Sequence, residues 1–199
     1  MKKTINLTRG EGLLEEFLAK QRASKANSFI SNIQRKGKLL DIGCGSYPYF
    51  LISTKFKEKY GIDPSVNISL VKEKNIYLSK ANISKKKLPF ENNYFDVVTM
   101  LAVFEHIEHD NLNFVLSEIK RVLKKNGIFI ITTPAPWSDK LLHIMAIFGL
   151  ISSEEIHEHK THHSRSEILS ILIKSGFSGE KIKEGFFEFF MNMWFTSIK

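Results

Sequence analysis

Three short stretches hold residues whose types and spacing could grip a small charged molecule. The first is Leu39-Leu40-Asp41-Ile42-Gly43-Cys44-Gly45-Ser46-Tyr47. A Gly-x-Gly directly after an apolar run lets the backbone turn sharply and approach a ligand with no Cβ in the way. The carboxylate of Asp41, just before it, can hold an ammonium group. The second is Gly61-Ile62-Asp63-Pro64, where an acid ending a second strand can accept from both ribose hydroxyls of an adenosine-bearing molecule. A dinucleotide would need a further glycine to seat its pyrophosphate. Tyr47 and Pro48 stand there instead, which disfavours NAD and suits an adenosyl compound that has no phosphate. The third is Ala81-Asn82-Ile83, followed by Leu88-Pro89-Phe90 and Tyr94-Phe95-Asp96-Val97-Val98.

Other groups could act on a second molecule. His106, in Phe104-Glu105-His106-Ile107, can take a proton near neutral pH. His157, His159, His162 and His163 lie among Glu154, Glu155 and Glu158, but without the H-E-x-x-H spacing of a helical zinc site, so no metal is expected. A loop past the strand ends that determines specificity is the better expectation for them, with Trp137 and Arg165 able to stack on or pair with a substrate. The aromatic tail, Phe186, Phe187, Phe189, Phe190, Trp194 and Phe195, reads as core packing of the last strands, with a membrane-facing or substrate-facing role as its rival.

The elements that must position these groups alternate. Residues 13–33 read as an amphipathic helix with Leu13, Leu14, Phe17, Leu18, Phe29, Ile30 and Ile33 as its apolar stripe. Strands are expected at 38–42, about 60–63, 75–78, 95–101 and 128–132, with a short helix at about 49–57. Asp110 is expected to cap a helix carrying Leu112, Val115, Leu116, Ile119, Val122 and Leu123, stopped by Asn126-Gly127. Ser164-Arg165-Ser166-Glu167 has capping-box spacing. The tail from 182 to 198 reads as strand, folded into a hairpin near Asn192. Such alternation predicts an α/β fold: a doubly wound, Rossmann-like, mostly parallel sheet of about seven strands with an antiparallel C-terminal strand. Ligands bind such sheets at the carboxyl ends of their strands.

Taken in order, these segments resemble the class I S-adenosylmethionine (SAM)-dependent methyltransferases, especially the subgroup acting on small molecules. The resemblance spans about residues 35–135, and more loosely 160–177. It implies SAM as cofactor and S-adenosylhomocysteine as product. Asp41, Gly43, Cys44 and Gly45 would surround the methionine portion, and Asp63 with Pro64 the ribose. Asn82 falls where the family usually has an aspartate for the adenine amino group, with Ile83 beside the ring. Leu101 and Ala102 fall where the family's backbone meets the methionine amine, and Tyr47 departs from a frequent third glycine. His106 is the candidate base; Trp137, His159, His162, His163 and Arg165 are candidates for the acceptor side. The implied layout is one domain: an N-terminal helical lid (1–36), a cofactor core (37–135), an acceptor-side insertion (136–165) and a final helix with strands (166–199). The implied reaction is methylation of a small molecule on oxygen. The alternatives are a methyltransferase of RNA or protein, or a non-catalytic SAM-binding partner subunit.

Composition narrows the setting. The chain has 199 residues, 43% hydrophobic and 25% charged, ordinary for a globular protein. Its single cysteine excludes an internal disulfide and fits a reducing, cytoplasmic compartment. No long apolar stretch follows Met1-Lys2-Lys3 and none elsewhere is long enough to span a bilayer, so neither a leader nor a transmembrane segment is expected. The net charge is +8, and residues 1–38 hold nine basic and three acidic side chains. That excess could meet nucleic acid, an acidic membrane or an anionic substrate. A solvated helix face explains it more simply, so nucleic acid is not the expected partner.

Overall fold

In the computed structural model, residues 14–84, 86–138, 147, 150 and 163–199 are described. Helix α1 spans Glu15–Ser28, β1 Lys38–Ile42, α2 Tyr49–Ser53, β2 Glu58–Ile62 and β3 Ile76–Ser79. Then come β4 (Phe95–Leu101), α3 (His109–Val122), β5 (Leu123–Pro134), α4 (Arg165–Lys174), β6 (Ile182–Phe187) and β7 (Asn192–Ile198). The strands form one sheet in the order β3-β2-β1-β4-β5-β7-β6, and β7 alone runs against its neighbours. This is the expected doubly wound architecture. The order reverses between β1 and β4, opening a cleft at their carboxyl ends.

Neighbouring residues on the central strands feed two different cores. Leu40, Val98, Phe129 and Ile131 pack beneath α3 and α4, while Leu39, Val97, Ile128 and Ile130 pack beneath α1 and α2. A strand covered on both faces must be apolar throughout, which is why β4 and β5 lack an apolar–polar alternation.

The boundaries bring several corrections. α1 buries only part of the expected stripe: Ile30, just beyond the helix, is buried and Phe29 packs against the core, but Phe17 is 54% and Ile33 82% exposed, and the buried positions within the helix are Ala23 and Ala26. Small alanines let the helix axis lie close to the sheet, and larger side chains on that face would hold it away. Asp110 is not the cap of α3; Glu108 holds that position and Asp110 sits in the first turn, where its charge suits the helix dipole. α3 ends at Val122 and the chain passes straight into extended structure, so Asn126-Gly127 lies inside β5, with Asn126 at φ 65°. The capping box of α4 forms as expected: the Ser164 side chain accepts from the Glu167 N–H and the Glu167 carboxylate accepts from the Ser164 N–H. The hairpin turn lies at 188–191, one residue before Asn192. Trp194 and Phe195 pack inward, but Phe186, Phe189 and Phe190 are exposed, against the expectation of core packing.

Candidate active site

At the end of β1 the chain turns through Gly43 (φ 73°) and Gly45 (φ 76°), a left-handed region that residues with a Cβ enter only at a cost. A Cβ on Gly43 would stand 2.2 Å from Val103 Cγ2, so this glycine also lets the loop after β4 close over the turn. A Cβ on Gly45 would meet only the Tyr47 carbonyl, at 3.7 Å, leaving its face open. Cys44 turns its thiol into the core against Gly61, so only its backbone belongs to the loop.

Asp63, at the end of β2, ties the two loops together. Its Oδ2 accepts from the Gly45 N–H at 3.0 Å, and its Oδ1 accepts from the Ser65 N–H at 2.7 Å and the Ser65 hydroxyl at 2.6 Å. These bonds fix the carboxylate at the carboxyl end of β2. Pro64, beside it, is exposed. Asp41 is 3% exposed, and its Oδ1 accepts from the Thr99 hydroxyl at 2.6 Å. Burial, with the nearby negative charge of Asp63, pushes its carboxyl up to about 7 against the bond from Thr99. No cation among the described residues offsets that charge. Asn82 is exposed, and its carbonyl accepts from the Ser84 N–H at 2.9 Å. Ile83 packs against the larger core. Leu101 and Ala102 are half-buried where β4 ends, and Ala102 is held at φ 55° by an N–H bond of 2.9 Å to the Thr132 carbonyl. Non-glycine residues in such conformations concentrate at functional sites.

Beyond Ala102, a single 3-10 turn, Phe104–His106, carries Glu105 and His106. His106 is half-buried. Glu105 was not singled out in the sequence, yet it is the more enclosed of the two, at 4% exposed. Its Oε2 accepts from the Thr133 hydroxyl of β5 at 3.0 Å. Burial raises its pKa, opposed first by the neighbouring His106 and then by lesser influences that include Arg22 of α1. The available signal was adjacency: an acid beside a candidate base just past a strand end.

The expected acceptor-side residues do not all converge. His163 lies against Phe104 and His109, with ring centroids 5.6 and 5.7 Å away, and so borders the same turn. Trp137 is 55% exposed beyond the end of β5. Arg165 is tied to Glu184 of β6, its Nε donating at 2.6 Å, so its guanidinium already has a partner within the fold. His157, His159 and His162 lie outside the described residues. Among the described residues no three His, Cys, Asp or Glu side chains gather as a metal site.

The family described as "Methyltransferase domain" matches residues 40–131, the stretch from β1 through the glycine turn to β5. Residues 40–131, just under half of the chain, carry a methyltransferase domain of the class I SAM-dependent type. This methyltransferase is 28% identical to the ubiquinone biosynthesis O-methyltransferase of Pelagibacter ubique over 180 residues, covering 79% of the chain and 68% of that protein. It spans between 26% and 39% of the length of three further curated relatives. Its fold is that of a SAM-dependent methyltransferase from Archaeoglobus fulgidus (TM-score 0.70, 17% identity, 94% and 98% of the two chains covered). It also matches a chain in the complex between the Haloferax volcanii Trm112 methyltransferase activator and a putative methyltransferase (TM-score 0.71, 15% identity, 93% and 91% covered).

SAM is the cofactor of the methyltransferase, and its own residues fit that molecule. Asp41 is a buried carboxylate with no cation beside it among the described residues, suited to an ammonium group. Gly45 leaves an open cradle at the turn. No helix among the described residues is long and apolar enough to cross a membrane.

Proposed function

We propose that the protein methylates a hydroxyl group of a small molecule, and that Glu105 and His106 handle the proton. The observation that carries this reading is the buried Glu105 carboxylate beside His106 at the carboxyl end of β4, with Thr133 fixing its other side. SAM supplies an electrophilic methyl group, so the protein needs to align two reactants and exclude water. On this reading Asp41 holds the amino group of the cofactor, with the backbone of the Gly43–Gly45 turn, Leu101 and Ala102 around it. Asp63 and Pro64 face the ribose, and Asn82 and Ile83 the adenine. Because the Asn82 carbonyl already accepts from Ser84, it would be shared with the adenine amino group.

A hydroxyl acceptor must lose its proton as the new bond forms. Neutral His106 takes that proton, and the Glu105 carboxylate steadies the imidazolium that results, at a site where burial strengthens the attraction. Such base assistance is worth about 10²–10⁴-fold in rate. The sequence after β4, Leu101-Ala102-Val103-Phe104, lacks the Asn-Pro-Pro-Tyr-type tetrad associated with methylation of base amino groups. The relative from Pelagibacter ubique is named as an O-methyltransferase, which points the same way. A reducing, cytoplasmic setting suits the single buried thiol of Cys44.

The test is incubation with methyl-labelled SAM and fractionated extract to find the acceptor, followed by His106→Asn. Loss of at least about 10²-fold in kcat with unchanged SAM affinity supports the assignment. Full activity of the variant, or label found only on RNA or protein, rejects it.

A further inference from the structure

Two features of the chain play no part in methyl transfer as described: the aromatic tip of the β6–β7 hairpin and the basic amino-terminal segment. At the tip, Glu188, Phe189 and Phe190 take φ of 52°, 54° and 67° in succession. Three non-glycine residues in the left-handed region are unusual, since each is disfavoured by its Cβ. Phe189 is 91% exposed, Phe190 67% and Phe186 37%. Phe190 and Phe186 lie together, with ring centroids 5.8 Å apart. Trp137, 55% exposed, follows two residues after Ala135, whose N–H donates to the Met191 carbonyl of the turn at 2.8 Å. Contiguous exposed aromatic surface of this kind marks an interaction site.

The charge beside the tip is positive. Burial raises the pKa of Glu188 and Arg22 of α1 lies close enough to oppose that shift, while the Lys25 ammonium is 4.9 Å from the ring of Trp194 on β7. The acids of the hairpin are occupied within the fold: Glu184 pairs with Arg165, and Glu188 accepts from Asn192. Lys20 of the same helix pairs with Glu16, so Arg22 and Lys25 are the α1 cations on this side.

We infer that the β6–β7 tip is a docking surface for an anionic lipid bilayer, with Phe189 and Phe190 entering the headgroup region and Arg22 and Lys25 of α1 facing the lipid phosphates. Aromatic rings are favoured at that depth, and basic side chains near an anionic surface add to the attraction. The turn at 188–191 lies at the carboxyl end of the parallel strands, so docking sets the mouth of the cleft against the membrane. Neither methyl transfer nor the identity of the acceptor enters this argument.

The experiment is flotation of the full chain with vesicles of phosphatidylcholine alone, and with vesicles containing about one third phosphatidylserine. Preferential binding to the anionic vesicles, weakened by salt, is expected. The Phe189→Ser/Phe190→Ser variant should bind at least about tenfold more weakly, with its SAM affinity and circular dichroism unchanged. No binding by the natural chain, equal binding to both vesicle types, or undiminished binding by the variant overturns the inference. So does a dimer of the natural chain that the double substitution separates while neither protein floats.

Discussion

Replacing Asp41 with Asn should stabilise the ligand-free protein while weakening its hold on SAM. The Asp41 carboxyl is enclosed and receives one hydrogen bond, and the nearest described charge acting on it is another acid, Asp63. Burial therefore pushes its pKa from 3.8 to about 7. A carboxyl whose folded value is raised favours the folded state below its unfolded pKa. That stability is lost as pH rises through the folded pKa, here across the window from about 4 to about 7. Over that range the loss amounts to about 4 kcal/mol at 1.36 kcal/mol per pKa unit. Asn has the same shape and carries no charge, and its carbonyl can still accept from Thr99. At pH 8 the variant should exceed the natural protein by up to about 4 kcal/mol, or roughly 2–4 °C of melting temperature per kcal/mol. Near pH 4 the gain should vanish. Denaturant titration without SAM, at both pH values, measures the difference. In calorimetry the natural protein should bind SAM more weakly as pH falls below about 7, approaching tenfold per pH unit, whereas the variant binds weakly with little pH dependence. The reasoning fails if the variant is no more stable at pH 8, or if its gain is the same at both pH values.

Three further changes probe the same frame. Asp63→Ala removes the acceptor that joins the Gly45 and Ser65 loops and should weaken SAM binding more than about tenfold in calorimetry; an unchanged affinity removes the ribose assignment. Gly43→Ala should cost at least about 2 kcal/mol in denaturant titration, because its Cβ would strike Val103 at a positive φ. Adding Val103→Ala should recover only the part due to the collision, leaving the backbone strain. Glu118 is held below the ordinary glutamate range chiefly by its bonds from Arg121, and it also accepts from the Leu88 N–H at 2.8 Å. Its contribution is present above the unfolded value of 4.5 and fades as pH falls through the lowered folded value. Glu118→Gln should therefore destabilise the protein by about 1–3 kcal/mol at neutral pH and by less in acid, as read by thermal melts.

The cofactor side was legible because its signals are local. A strand ending in Gly-x-Gly and an acid ending the next strand each stand within a few residues, and the sheet order then brings them together. Likewise Ser164 and Glu167 hold their own capping box with no help from elsewhere. The contact face of α1 was not legible, since apolar periodicity is weighted toward large side chains and the close approach is made by Ala23 and Ala26. The exposure of Phe189 and Phe190 was not legible, because an apolar run carries no sign that three successive residues will turn left-handed and carry these two rings outward. Glu105 stands beside His106 in the sequence, but its enclosure depends on Thr133, which only the fold brings next to it.

The late strand β7 sits between β5 and β6, so the sheet cannot be completed in the order in which its pieces are synthesised. Until residues 192–198 emerge, β5 presents an unpaired flank rich in isoleucine, and β6, made earlier, has no place to attach except to β7. The hairpin must therefore arrive as one unit and close an open edge from the side. During that interval the growing chain exposes a strand to which a neighbouring nascent copy could add, and prompt arrival of the tail is its protection against aggregation.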